Sequence, residues 1–171
     1  MSDPSRPDDS SHAPPSARNR LSALSLDPAS ITRGNANIEH EREVAIFDIL
    51  EANEFALVGR DDGPYSLVLG VSDDKLVFAC SPAAGGAATI VNAPLVPLRR
   101  VIKDYFLVCE TYFDAIRTAP PSRIQQIDVG RRALHDEGAK GLSEKLAGQV
   151  TLDATTARRL FTLVCALHGR N

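Results

Sequence analysis

The period of apolar and polar positions changes several times along the chain, and each change marks an element. Tyr65, Leu67, Leu69 and Val71 alternate with their neighbours, Ser72-Asp73-Asp74 supplies a turn, and Lys75 to Cys80 follows, so this stretch predicts a β-hairpin. The β-rich run Ala88 to Asn92 adds a further strand, and Leu21 to Leu26 reads as a first one. Between Leu98 and Ile116 the period lengthens. Leu98, Ile102, Tyr105, Cys109, Tyr112 and Ile116 recur at alternating steps of four and three, widened by Val101, Val108 and Phe113, which predicts a helix with a broad apolar stripe. Such a stripe suits an intrachain core or a dimer seam, and the oligomeric state stays open. Pro120 and Pro121 end that helix, and residues 121–147 predict a second one folding back as its antiparallel neighbour. A helix is also expected from Ile38 to about Asn53, with Asn37 as its cap and Glu39 and Glu41 in its first turn. Val150-Thr151-Leu152 reads as a short strand, and Asp153 caps a last helix whose apolar face is Ala157, Leu160, Phe161, Val164 and Leu167. The expected fold is α+β: a small antiparallel sheet packed with about four helices, including a long antiparallel helical hairpin.

Composition adds boundaries. Residues 1–19 hold four of the eleven prolines and only Met1, Ala13 and Ala17 as hydrophobic residues, so they are expected to form a disordered tail before one domain at 20–171. The 19 basic and 22 acidic residues give a net charge of −3, and no block of five like charges occurs, so nucleic acid is not an expected partner. No apolar run approaches 18 residues, so no membrane span is expected. No signal-peptide pattern opens the chain, and Cys80, Cys109 and Cys165 form no CxxC pair. A reducing cytoplasm is the expected location.

The candidate chemistry lies on the 121–147 helix. Its apolar stripe is Ile124, Ile127, Leu134, Leu142 and Leu146, and Arg131 and His135 fall inside it. Ionisable groups aimed at a core need partners, because burying an unpaired charge costs several kcal/mol or more. On the helix near Ile38, Phe47 and Leu50 define an apolar direction, with His40 and Glu43 within about 60° of it, so Glu43 is expected to balance Arg131. His40, Glu43, Arg131 and His135, with the phenols of Tyr105 and Tyr112, supply a cation, a carboxylate and two near-neutral titrating groups. Two readings stand: a mutually satisfied network that sets helix register, or a pocket for a small anionic ligand or acid–base work. Gly138, on the same inward face, is expected to let another backbone approach closely.

Other charged groups have simpler assignments. Asp128, Arg132 and Asp136 are spaced four apart, as in a helical ion-pair ladder. Arg99, Arg100 and Lys103, with Arg158 and Arg159, read first as solvated helix faces and alternatively as a basic surface that suits phosphate or an acidic partner, while His168 sits where a helix dipole favours a cation. His40 and Glu43 do not form HExxH, so no metal is assigned. No cofactor is assigned either, because Gly85-Gly86 lacks a nucleotide-binding context. No catalytic cysteine is expected, since the cysteines lie on apolar faces or at a strand end.

Ile38-Glu39-His40-Glu41-Arg42, Gly63-Pro64-Tyr65, Arg99 through Phe106, Gly130-Arg131-Arg132 through Gly138, and Arg158 through Leu163 together resemble uncharacterised protein family 0262, a group of small bacterial proteins. The likeness covers roughly residues 20–170, and the Ala- and Gly-rich link Ala83 to Ala88 departs from it. The resemblance implies no activity, cofactor or catalytic residue. The functional expectation is a cytoplasmic accessory or regulatory module that docks a protein partner; the alternative is a small enzyme or anion-binding protein using His40, Glu43, Arg131 and His135.

Overall fold

A computed structural model describes residues 15–31 and 36–168. In chain order the elements are α1 (Pro15–Arg18), β1 (Leu21–Leu26), α2 (Ala36–Glu51), β2 (Phe55–Leu57), β3 (Tyr65–Ser72), β4 (Lys75–Pro82), β5 (Thr89–Pro94), α3 (Arg99–Thr118), α4 (Pro121–Leu146), β6 (Val150–Leu152) and α5 (Ala154–His168). The expected tail up to residue 14, and the side chains of Asn37, Ile38 and His168, lie outside the described residues. Pro15–Arg18 forms one helical turn, and the Asn19 carbonyl accepts from Phe55 N at 2.9 Å. Because α2 begins at Ala36, Asn37 lies within the helix instead of capping it.

Four strands form one sheet in the order β1-β3-β4-β5. The predicted hairpin is β3 and β4, paired Leu69 to Phe78 and Ser72 to Lys75. Its two-residue turn holds Asp73 and Asp74 at φ 50° and 60°, the left-handed pair of a type I′ turn, which a short polar side chain tolerates. β5 pairs antiparallel with β4, while the β1 edge runs parallel to β3, with Leu24 opposite Leu67. Between these two strands the chain passes through α2 and β2, a connection long enough for a parallel return. A separate antiparallel ribbon, β2 with β6, pairs Phe55 with Leu152.

Alternation puts Tyr65, Leu67, Leu69, Leu76, Phe78, Cys80, Val91 and Ala93 on the buried face of the sheet, while Val68 and Ile90 face outward. The helices cover the buried face. α5 packs against α2, α4 and β3, and its residues Leu160, Phe161 and Leu163 through Leu167 are all buried, which accounts for its being apolar on nearly every side. The five positions expected on its apolar face are among the buried residues. α3 and α4 form the long antiparallel hairpin, packed on each other along their length. Its far end overhangs: Ile116 lies on the same stripe as Tyr105 and Cys109 yet is half exposed, as are Phe113 and Val129.

Gly138 sets the closest approach between α4 and α5. A Cβ there would stand 2.1 Å from Phe161 Cζ, so the absence of a side chain seats the Phe161 ring directly on the α4 backbone. The close neighbour is thus a ring on α5 instead of the expected backbone. Seating it there brings α4 and α5 together one turn away, at His135 and Thr162.

Candidate anion-binding site

Arg131 and His135 stand one turn apart on α4, and Arg158 and Thr162 repeat that spacing on α5, so two pairs of polar groups face each other above the Gly138 contact. Tyr105 of α3 lies beneath. Its ring centroid is 5.3 Å from that of His135 and 6.1 Å from that of Phe161, while His135 and Phe161 meet edge to face at 5.3 Å. Tyr105, Arg131, Arg132, His135, Asp136, Arg158 and Thr162 line an opening of about 320 Å³.

Asp128 anchors one side of this opening. Its Oδ1 accepts from Arg131 Nε at 3.0 Å and Nη2 at 2.7 Å, and its Oδ2 lies 2.5 Å from Arg132 Nη2. The Arg131 hydrogen bond holds the Asp128 carboxyl below the usual carboxylate range. Burial alone would lower the Arg131 guanidinium, but its hydrogen bond to Asp128 and the neighbouring Tyr105 phenol keep it above its ordinary value. The same guanidinium lies over the Tyr112 ring, 5.0 Å from the centroid, a cation–π contact. On the α5 side Arg158 Nε reaches Asp136 at 3.6 Å, longer than a good charge-assisted hydrogen bond.

His135 Nε2 lies 2.8 Å from Thr162 Oγ1, and that hydroxyl itself donates to the Arg158 carbonyl at 3.3 Å. Thr162 has one hydrogen to give, so His135 Nε2 is the donor and Nδ1 carries the lone pair. Burial pushes the His135 pKa down, Asp136 opposes this, and Arg131 and Arg158 add to it. Burial likewise raises the Tyr105 phenol, so both groups are neutral at pH 7.

The structure brings together Tyr105, Tyr112, Arg131 and His135, all half-buried or buried, and leaves out His40 and Glu43, which are exposed on α2. Phe47 is 62% exposed, so it marks the solvent side of α2. The inward face is Arg42, Ala45 and Ile49, with the Arg42 guanidinium donating to the Ala166 carbonyl at 2.8 Å. A buried arginine and outward Val44 and Phe47 reverse the direction that hydropathy alone suggests. The carboxylate of α2 that senses Arg131 is Glu41, not Glu43: burial raises its pKa, and attraction to Arg131 and His40 offsets part of that.

One group at the opening, Thr162, is not singled out by the sequence, and Arg158, named there for phosphate with Arg99 and Arg100, joins Arg131 instead. Their i, i+4 spacing beside the α5 stripe is the available signal. Arg99, Arg100, Lys103 and Arg158 lie on exposed helix faces, as solvated charges are expected to. Arg99 pairs with Asp74, Arg100 with Glu137 at 3.2 Å, and Arg159 caps α2 by donating to the Asp48 and Ala52 carbonyls at 3.0 Å. In the expected ladder Arg132 does pair with Asp128, whereas Asp136 turns to Arg158 on the next helix.

A second polar cluster sits at the strand ends. Tyr65 is fully buried and its hydroxyl donates to Asp62 Oδ1 at 2.6 Å, while Arg60 pairs with Asp62 and contacts the Thr89 hydroxyl. Burial and then the Asp62 carboxylate push the Tyr65 phenol up to about 12, and the Arg60 hydrogen bond lowers Asp62. Among the described residues no group of three His, Cys, Asp or Glu is placed to hold a metal ion, and no helix is long and apolar enough to cross a membrane.

The profile of an uncharacterised protein family, UPF0262, matches residues 18–170. The chain belongs to that family. It is 54% identical to a UPF0262 protein of Methylobacterium radiotolerans over 152 residues, covering 89% of this chain and 94% of the relative. It is 50% identical to one of Rhizobium etli over 151 residues (88% and 96%), and 46% identical to one of Rhodopseudomonas palustris over 170 residues (99% and 99%). No solved structure matches the chain. The UPF0262 match takes in both polar clusters and all four long helices.

Proposed function

We propose that this protein binds a small anion, a carboxylate or a phosphate, in the opening between α3, α4 and α5. The observation that carries the reading is the lining: three guanidinium groups, Arg131, Arg132 and Arg158, meet one carboxylate, Asp136, at an accessible opening, while Asp128 and Glu41 lie outside the lining, Asp128 bonded to Arg131 and Arg132 and Glu41 attracted to Arg131. Guanidinium groups offer five N–H donors each in a fork that fits a carboxylate or phosphate, and Arg158 engages Asp136 only at long range. His135 and Thr162 spend their donors on each other and on the Arg158 carbonyl, so they brace the wall and leave the guanidinium N–H groups to meet the ligand. Isothermal titration of the full chain with inorganic phosphate and with acetate tests this. Saturable binding is expected, weakened in Arg131→Gln and Arg158→Gln; the absence of saturable binding, or binding unchanged in both variants, overturns it.

Docking of a protein partner is a second reading, favoured by the half-exposed Phe113, Ile116 and Val129 at the far end of the hairpin. Sedimentation velocity and pulldown with Phe113→Ser and Val129→Ser separate it: loss of a complex in these variants supports docking, and none being formed by the unaltered chain removes it. A cytoplasmic setting belongs to the same proposal, since Cys80, Cys109 and Cys165 are free thiols and burial raises each, Cys80 to about 11.

A further inference from the structure

The anion opening does not end at Arg158. A second opening of about 290 Å³ lies between the same two helices and shares Asp136 and Arg158 with the first. Beyond that pair its wall is Ala139, Ala154 and Ala157 with the side chains of Lys140 and Ser143. The two openings thus adjoin at one ion pair, 3.6 Å long, whose side chains are 53% and 63% exposed. The first segment is cationic and hydrogen-bonding. The second has a floor of methyl groups, with Ala139 and Ala157 themselves buried, flanked by the alkyl stems of Lys140 and Arg158.

We infer that the anion taken by this site carries an apolar tail: an acyl-type carboxylate whose head meets Arg131 and Arg158 and whose chain runs along α4 and α5 over Ala139, Ala154 and Ala157. The inference rests on the anion-site reading above and names its ligand class. Charge complementarity fixes the head at the Arg131 end, because that segment has the surplus of guanidinium groups, and the alanine-floored segment offers a tail apolar contact in place of water. The distance fits as well: eight residues of α4, from Arg131 to Ala139, rise about 12 Å, room for an extended chain of several methylenes. A carboxylate arriving between the helices offers Arg158 a bidentate partner in place of the long contact to Asp136, so the pair between the openings yields to the ligand.

The test is NMR titration of the full chain with acetate, butyrate, hexanoate and octanoate, with butyl phosphate beside inorganic phosphate as a second head group. Affinity is expected to rise about fourfold per fully buried methylene, or about twofold where half of it stays wet, and then to level off when the second opening is filled. Ala154→Leu and Ser143→Leu each occupy the tail segment from a different helix. Each is expected to keep acetate affinity, lose the gain with chain length and melt as the unaltered chain does. Two variants are used so that a folding defect in one leaves the other to decide. If acetate binds saturably and hexanoate binds no tighter, or if the gain persists in both filled variants, the tail inference fails and the anion site stands. If neither acetate nor phosphate binds, the site reading fails, and a hexanoate signal insensitive to Arg131→Gln then marks adventitious apolar binding, which overturns this inference too.

Discussion

At the strand ends Arg60, Asp62 and Tyr65 close on one another, one cation to one carboxylate with a phenol bonded to it; between α3, α4 and α5 an opening is lined by three guanidinium groups and one carboxylate, Asp136. Both clusters join a loop or helix to its neighbour, and both shift the pKa of an aromatic or imidazole group inside them. The difference is charge balance. A balanced, mutually bonded set completes itself and fixes a backbone connection, whereas an unbalanced one at a solvent-reachable gap retains donors for a molecule from outside. The first cluster is therefore structural and the second is the candidate site.

The largest expected effect breaks the second cluster alone. Gly138→Ala drives a methyl into the Phe161 ring, and overpacking of this kind is expected to cost about 3 kcal/mol, a drop of roughly 6–12 °C in Tm. Anion binding should fall with it, since the shift moves His135 from Thr162 and Arg158. Adding Phe161→Leu should restore part of both, read by calorimetric melting and phosphate titration. Next, Arg131→Gln is expected to weaken phosphate binding about tenfold, or about 1.4 kcal/mol, with a smaller change in melting temperature. Tyr65→Phe reverses the pattern: a loss of about 1 kcal/mol in urea unfolding, moderated by the partial exposure of Asp62, and unchanged phosphate affinity. A comparable loss of anion affinity in Tyr65→Phe would contradict the separation of the two clusters.

The smallest effects are opposite edges of the pH–stability profile. His135 has a lowered pKa when folded, so below its ordinary value of about 6.5 the unfolded chain takes up the proton first. Stability is then lost as pH falls through that range, and His135→Asn should flatten this acid edge. Tyr65 is raised to about 12, so its contribution is complete below pH 10 and lost as pH climbs from 10 towards 12; Tyr65→Phe should remove that share of the alkaline edge and leave the shares of Tyr105 and the buried thiols, which burial also raises. Urea midpoints measured across pH 5–12 check both, with the groups facing His135 (Arg131, Asp136 and Arg158) held unaltered.

How much of this was legible in sequence depended on whether neighbours along the chain decided the matter. The β3–β4 hairpin, the α3–α4 hairpin and the α5 face follow from local period and turn chemistry, and they appear at nearly the expected positions. The parallel partner of β1 does not, because an edge strand's direction is set by where a crossover returns, which no local pattern encodes. On α2 the local signal pointed the wrong way. Val44 and Phe47 face water while Arg42 is buried against α5, so hydropathy favoured His40 and Glu43 over Glu41. In the site, Arg131 and His135 were legible because charge inside an apolar stripe is conspicuous. Thr162 was not, and Arg158 was legible as a phosphate-suited cation but not as a neighbour of Arg131, because both depend on a helix 27 residues away in sequence.

The central claim is that Arg131 and Arg158 hold a small anion beside His135. Its most direct test is a phosphate titration of the isotope-labelled full chain, following the arginine Nε–H and His135 ring signals. Saturable shifts are expected at Arg131, Arg158 and His135 with one shared affinity, while the Arg60 Nε–H stays still. Linear, non-saturating drift of equal size at Arg131 and Arg60 would contradict it.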